Sequence, residues 1–346
     1  HTARRYTQAM GMMLGSAVLG AVIGNRVISD VINQGGQLYL LSYSREQEFE
    51  ADQLAVRYLT KTGYDPYAGA DFLDAMQEYA ALERALRGEE PGKKSDFLTT
   101  HPQTPKRIAE AIELAKATGL AAEARPRLRD EFLNAIDGMI YGGSFEHGFI
   151  RGQTFSHPKL RFTFTAPPGF YLLDKPSAIL ARGPGEAQLK FDMGRLEHTM
   201  PMTSYLTGVW AKNAALDRVE PLVVNGLEAA TGEVESGNML VRLVVIRFQE
   251  NRVARFIIVM PRRAPKALVE GLQQMTYSFR ALSPPEAARL RPLRIKIVHA
   301  RAGDTVNSLA ERMPFADFRM PRFVTLNGLH PGQPLGAGAR VKLVAE

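Results

Sequence analysis

The chain has 346 residues, a hydrophobic share of 45%, and a net charge of +7 from 43 Lys and Arg against 36 Asp and Glu. This length suffices for two or three domains with their own cores, and the composition excludes a disordered chain. Basic residues are not interleaved with aromatic ones, so we expect no nucleic acid partner and at most attraction to anionic surfaces. The absence of cysteine excludes disulfides and thiolate metal sites.

The first apolar segment, residues 10–24, is glycine-rich and 15 residues long. A helix that crosses a bilayer needs about 20 apolar residues, so the segment favours a close-packed or capping helix, with peripheral membrane contact as the alternative. The chain opens on His1 without the ordered regions of a signal peptide, which suggests a processed or truncated sequence.

Residues 1–145 are predicted to form an α-helical domain. Ser44 and Gln47 have the spacing of a capping box at the start of one helix, and Gly63 is suited to end that helix. The next helix is expected to open at Asp65-Pro66. Its predicted buried face comprises Phe72, Leu73, Met76, Tyr79 and Ala80.

Residues 150–282 are predicted to form an α+β domain with an antiparallel sheet. Four segments alternate between apolar and polar residues with a period near two, which is typical of strands: 160–166, 187–197, 239–249 and 252–261. A helix is expected over 264–279, laid on the sheet. The topology and composition of this domain weakly resemble PsbP-like modules, and the Pro- and Arg-rich residues 283–294 are predicted to be a linker.

Residues 295–346 are predicted to form a small βααβ unit. Gly303 is expected to make the first turn, Thr305 to cap the first helix, and Asn327-Gly328 to stop the second. These residues, and the spacing G-x-x-L-x-x-G-x-x-V-x-L that ends at Leu343, resemble a LysM module. The resemblance implies a glycan partner that contains N-acetylglucosamine, such as peptidoglycan, although the segment 314–321 departs from the common LysM spacing.

The stretch SREQEFEAD, residues 44–52, places Glu48 and Asp52 one helical turn apart, where like charges repel. Two interpretations follow. The pair lies on a solvated helix face, which periodicity alone favours, or it lies beside a buried cation. Small residues at Ala51 and Ala55 leave room for another group to approach closely.

The same stretch resembles the second signature of HtpX/BepA-like gluzincin metallopeptidases, Ser-Arg-x-x-Glu-x-x-Ala-Asp. The resemblance implies that Glu48 is a ligand of one Zn²⁺ ion and that Asp52 orients a metal-ligating His. Downstream, His101 and Arg107 match the His-Pro-x-x-x-x-Arg element of the family. The resemblance implies that His101 lies near the metal and that Arg107 belongs to the catalytic site.

The His-Glu-x-x-His motif of this family, which supplies two zinc ligands and the general base, is absent from the 346 residues. The zinc site is therefore incomplete in this chain, and we expect the motif within about ten residues before His1 of a longer protein.

The expected function is that of a zinc-dependent endopeptidase of the bacterial cell envelope, acting on proteins or peptides in the periplasm. One alternative is a non-catalytic scaffold or peptidoglycan-binding protein that acts through residues 295–346. Another is an autoinhibitory or chaperone-like role of the helical domain, with residues 10–24 plugging the cleft. The fold class is thus multidomain: an α-helical metallopeptidase portion, an antiparallel α+β domain, and a βααβ LysM-like domain.

Overall fold

The computed structural model describes residues 45–88, 105–175, 177–329 and 333–346. The predictions for Ser44 and for residues 10–24 fall outside these ranges. The chain divides into two compact units. The described part of the first unit lies within residues 45–139 and 294–345, and the described part of the second lies within residues 140–293. No helix within the described ranges is both long and apolar enough to cross a membrane.

The first unit begins with four helices. These are α1 (Arg45–Thr62), α2 (Ala68–Leu86), α3 (Pro105–Lys116) and α4 (Arg129–Ile136). Acidic residues in the first turn of α1 and Lys61 in its last turn complement the helix dipole. The helix ends before Gly63, whose φ of 86° lies in the left-handed region that glycine adopts without strain. This end confirms the position expected from the sequence.

The buried face of α2 differs in part from the prediction. Leu73 and Ala80 are buried as expected, but Phe72 is 65% exposed and Tyr79 is 43% exposed, so their assignment to the core was wrong. The face of α2 that meets α3 contains Ala70 and Leu73. Each helical residue is rotated by about 100° from its neighbour, which places Phe72 beside that face and not on it.

The turn between α1 and α2 is held by Asp65, which is fully buried. One carboxylate oxygen accepts the backbone N–H of Tyr67 at 3.0 Å, and the other accepts Nε of Arg127 at 2.7 Å. Burial alone would raise the pKa of Asp65, but the hydrogen bonds from Arg127 and the Tyr67 backbone outweigh it and hold the pKa below its ordinary value. The charged form of Asp65 is therefore the one that stabilises this turn.

Replacing Asp65 with Asn is expected to lower the free energy of unfolding at pH 7 by about 1.5–3 kcal/mol, the typical contribution of hydrogen bonds to a charged group. Because the folded pKa is depressed, the contribution is present above the unfolded pKa of about 4 and is lost as the pH falls through the folded value. Urea unfolding at pH 7 and pH 3 checks both statements. Equal differences between the two proteins at both pH values would contradict the charged role.

The C-terminal part of the first unit has the predicted order of strand, helix, helix, strand. Its elements are β13 (Leu293–His299), α8 (Val306–Ala310), α9 (Arg319–Asn327) and β14 (Arg340–Ala345). Elements are numbered in chain order, and those of residues 140–292 are described with the second unit. The two strands pair antiparallel. Thr305 and Ser308 form a capping box at the start of α8, and Gly328 ends α9 with φ of 61°. The LysM assignment itself stays a prediction.

This C-terminal segment is bonded to the helical part of its own unit. Arg340 on β14 donates to the carboxylate of Asp130 at 3.1 Å and to the side chain of Asn134, both on α4. After α4, the Gly138 N–H donates to the carbonyl of Ile295 at 2.8 Å. Helix α9 also contacts α2. The segment predicted as a separate domain therefore shares one compact unit with the helices.

The second unit is built on two antiparallel sheets. Its strands are β1 (Ile140–Tyr141), β2 (Phe149–Arg151), β3 (Thr154–His157), β4 (Phe162–Thr165), β5 (Tyr171–Lys175), β6 (Ala178–Arg182), β7 (Gln188–Arg195), β8 (Asp217–Val224), β9 (Leu227–Ser236), β10 (Met239–Gln249), β11 (Arg252–Pro261) and β12 (Arg280–Ala281). Among the described residues, one sheet has the order β5-β6-β7-β11-β10-β9-β8 and the other the order β12-β4-β3-β2. The two-residue strand β1 belongs to neither of these sheets. The four strands expected from alternation are β4, β7, β10 and β11.

The described part of the second unit also contains three short to medium helices. They are α5 (Met202–Ser204), continued by a π-helical turn to Trp210, α6 (Lys266–Ser278) and α7 (Pro284–Arg289). Leu272 and Met275 of α6 pack on the seven-stranded sheet in a core rich in phenylalanine. This confirms the predicted helix on the sheet. The segment predicted as a linker contains α7, which Ser283 and Glu286 start with a capping box.

Candidate active site

The two carboxylates of the opening acidic stretch meet a guanidinium group from a distant helix. Glu48 and Asp52 lie one turn apart on α1, and Arg107 lies on α3. Arg107 donates from Nε and Nη2 to the two carboxylate oxygens of Asp52, at 2.7 Å each. Its Nη1 lies 2.9 Å from Oε2 of Glu48. One side chain thus bridges both carboxylates, with bidentate geometry toward Asp52.

This cluster is buried. The side chains of Glu48 and Arg107 are 7% and 6% exposed, and that of Asp52 is 12% exposed. Burial alone would lower the pKa of Arg107, but the hydrogen bonds and negative charges of Asp52 and Glu48 raise it above its ordinary value. The guanidinium is therefore a permanent cation at this position.

The structure decides between the two interpretations of the acidic pair. A solvated helix face would leave both carboxylates in water, and the low exposure of Glu48 and Asp52 contradicts that interpretation. A buried cation is present, and in the described part of the chain it is Arg107. The matched family element drew attention to Arg107, but its bridging of Glu48 and Asp52 was missed, because nothing in a linear sequence reports a contact across 55 positions.

Small residues allow the bridge to form. Ala111, one turn after Arg107 on α3, is buried against Ala70 and Leu73 of α2. Because the side chains of Ala70 and Ala111 are short, α3 can lie close to α2. In this position Arg107 reaches the carboxylates on α1. The sequence signal for this close approach is the set of separated alanines in α3, at positions 109, 111 and 115.

A cleft of about 430 Å³ opens beside the carboxylates. Apart from Arg107 and the two carboxylates it is lined by apolar or small residues: Ala51, Ala55, Val56, Gly69, Phe72, Leu73, Met76 and Ala111. An apolar cleft with a few fixed polar groups has the general character of a site for a ligand or a peptide side chain. The exposed ring of Phe72 lies at this cleft.

The described residues do not fit a complete zinc site. A catalytic zinc requires three protein ligands and an open position, whereas no group of three or more His, Asp or Glu suited to a metal occurs within residues 45–88, 105–175, 177–329 and 333–346. Glu48 is the one predicted ligand among them, and both oxygens of Asp52 accept hydrogen bonds from Arg107. His101 lies outside the described residues. The zinc role of Glu48 and the roles of Asp52, His101 and Arg107 in catalysis stay predictions.

Two solved structures are distantly similar to the chain. A crystal structure from Bacteroides thetaiotaomicron VPI-5482 aligns with 47% of this chain and 59% of its own length, at 12% identity and a TM-score of 0.31. The solution structure of cyanobacterial PsbP (CyanoP) from Synechocystis sp. PCC 6803 aligns with 40% of this chain and 98% of its own length, at 14% identity and a TM-score of 0.31. Neither score assigns a fold, so the PsbP-like module stays a prediction.

Comparison of sequences finds a stronger similarity than comparison of structures. The chain is 32% identical over 127 residues to the mitochondrial metalloendopeptidase OMA1 of Arabidopsis thaliana, a match that covers 36% of this chain and 24% of that protein. The chain thus spans about a quarter of the length of this curated relative. The model of peptidase family M48 matches residues 3–115, a range that includes Glu48, Asp52 and Arg107. Over residues 3–115 the chain is therefore similar to peptidase family M48, and the curated relative is a metalloendopeptidase.

Proposed function

We propose that this chain is part of a zinc-dependent endopeptidase that hydrolyses proteins or peptides. The observation that supports the proposal is the buried pair Glu48 and Asp52, bridged by Arg107, inside the segment that matches family M48. Burial of two carboxylates is costly, and the bridge from Arg107 offsets part of that cost. Zinc in such a site would act as a Lewis acid and activate a water molecule. Among the described residues, Glu48 is the proposed zinc ligand.

The contribution of the described residues is orientation. Arg107 fixes the rotamers of both carboxylates through three contacts at 2.7 to 2.9 Å. It also offsets part of the repulsion between the two carboxylates. The apolar cleft beside them offers space for a substrate side chain.

The finer assignment within this proposal is an HtpX/BepA-like peptidase of the bacterial cell envelope, located in the periplasm. It rests on the signature around Glu48 and on the His-Pro-x-x-x-x-Arg element that begins at His101. The same family signature implies that the other zinc ligands belong to a His-Glu-x-x-His motif, which these 346 residues do not contain.

The test replaces Glu48 with Gln in the protein expressed from its complete reading frame. Gln keeps the volume and removes the charge, so bound zinc is expected to fall well below one ion per chain. Casein hydrolysis is expected to fall by more than the 10–100-fold that is typical for residues that only orient a metal ligand. Zinc is measured by elemental analysis of the dialysed protein.

The matched control is Glu50→Gln, which changes an exposed carboxylate of the same helix. This control is expected to keep both zinc and activity. Stoichiometric zinc in the Glu48→Gln protein would reject Glu48 as a ligand. Full casein hydrolysis without zinc would reject the proposed function.

A second candidate function is glycan binding by residues 295–346, which the βααβ order and the capped turn at Thr305 favour. The intact protein is expected to co-sediment with purified peptidoglycan, and soluble chito-oligosaccharides are expected to release it. Because Arg340 bonds this segment to α4, the intact chain is a better reagent than a deletion. Protein that stays in the supernatant at low salt would reject this role.

A further inference from the structure

The second unit contains a cleft that the peptidase proposal does not use. It has a volume of about 280 Å³ and lies between the outer strands of the seven-stranded sheet and helix α6. Its lining is mixed: Arg218, Glu220, Leu222, Thr231, Glu233, Arg242, Val244, Val269, Gln273, Thr276 and Tyr277. This volume lies just below the range of small-molecule pockets, about 300–1,000 Å³.

Charged residues occupy the side of the sheet that elsewhere forms the core. On β10, Val244 and Ile246 point to the same face as Arg242 and are fully buried in the phenylalanine-rich core. Glu233 is the strand partner of Arg242, and it is only 7% exposed. Alternation along a strand predicts apolar residues at these two positions, and such departures from the pattern occur mainly at functional or strained sites.

A strained residue completes the charged cluster. Arg242 donates to Oε1 of Glu233 from Nε and Nη2, at 2.9 and 2.6 Å, and Nη2 of Arg218 lies 3.0 Å from Oε2. Arg218 has φ of 51° at the place where the register of β8 shifts between Asp217 and Glu220. A left-handed backbone is uncommon for a residue other than glycine, and such conformations cluster at ligand clamps and active sites.

The rim of the cleft offers polar groups that are not used within the described residues. The side chains of Glu220, Gln273 and Tyr277 form neither an ion pair nor a hydrogen bond in that part of the chain. Two arginines and two glutamates balance, so the lining carries no net charge. Leu222 and Val269 add an apolar surface. A complementary ligand is therefore uncharged, carries several hydrogen-bond donors, and has one apolar face.

We propose that this cleft binds a neutral, hydroxyl-rich small molecule, of the size of one or two sugar rings. Vicinal hydroxyls would donate to the Glu220 carboxylate and pair with the Gln273 amide, while the C–H face of the ring lies on Leu222 and Val269. An alternative role for these charges is structural: inward-pointing charges protect the edge strand β8 from pairing with other chains. Protection of the edge strand requires no ligand, so a measurement of ligand binding distinguishes the two roles.

The experiment titrates the intact, ¹⁵N-labelled chain with cellobiose and, separately, maltose, and follows backbone amide shifts. The expected shifts lie on β8, β9 and the middle of α6. The double variant Glu220→Gln, Gln273→Ala changes two exposed side chains, and the loss of their hydrogen bonds is expected to weaken binding about tenfold. Gln274→Ala, an exposed neighbour outside the cleft, is the matched control and is expected to bind like the unchanged protein.

Three outcomes would overturn the proposal. The first is the absence of shifts with either disaccharide. The second is shifts that the double variant leaves unchanged, which would place binding elsewhere. The third is a response at the same amides to the uncharged peptide acetyl-trialanine amide but not to the sugars, which would make the ligand a peptide.

Discussion

Replacing Arg107 with Met is expected to lower the free energy of unfolding of the first unit by about 3–5 kcal/mol, the cost of breaking a buried ion pair from one side. Met keeps most of the volume but removes the cation. Glu48 and Asp52 would then face each other one turn apart, buried, without the group that donates to them. We expect the loss in urea unfolding, together with faster hydrogen exchange in α1 and α3.

Two further variants make this result specific. Lys116→Met removes a cation from the end of the same helix, where its contact with Glu113 is solvent-exposed, and it is expected to have no measurable effect. Adding Glu48→Gln and Asp52→Asn to Arg107→Met removes the stranded charges and is expected to recover part of the lost stability. A triple variant as unstable as Arg107→Met alone would show that the buried charge is not the cause.

Sequence reasoning predicted those parts of the fold that depend on near neighbours. The strands over 239–249 and 252–261 were predicted at the residues where the structure has them, because their alternation is carried by β-branched and aromatic residues. Gly63 and Thr305 were placed correctly for the same reason, since a helix end depends on a few adjacent residues. Strand β8 was missed because it is an edge strand that contains Pro221 and several charges.

The candidate site also has features that the sequence predicts and features that depend on tertiary packing. The spacing of Glu48 and Asp52 could be predicted, because four positions on a helix fix the distance between two side chains. Their burial and their partner could not, because both depend on how α3 packs beneath α1. The exposed position of Phe72 was missed for a similar reason: periodicity shows a set of apolar residues but does not show which of them another helix covers.

Removing residues 294–346 is expected to destabilise the helical part of the first unit. The deletion removes the Arg340 contacts with Asp130 and Asn134 and the main-chain bonds of Gly138 and Met139 with Ile295. At about 1 kcal/mol for each hydrogen bond, the loss amounts to about 3–4 kcal/mol before the contact of α9 with α2 is counted. Helix α4, only 8 residues long, is too short to persist by itself.

The measurement is limited proteolysis with thermal unfolding, in the whole chain and in the truncated one. New cleavage within residues 129–139 is expected first. Arg340→Ala should reproduce part of the loss, whereas Arg301→Ala, an exposed arginine of the same segment, should not. An unchanged midpoint and an intact α4 would show that the C-terminal segment is an independent module. With the expected result, this deletion would also disturb α4. The proposed peptidase activity and the proposed glycan binding must therefore be separated by point variants.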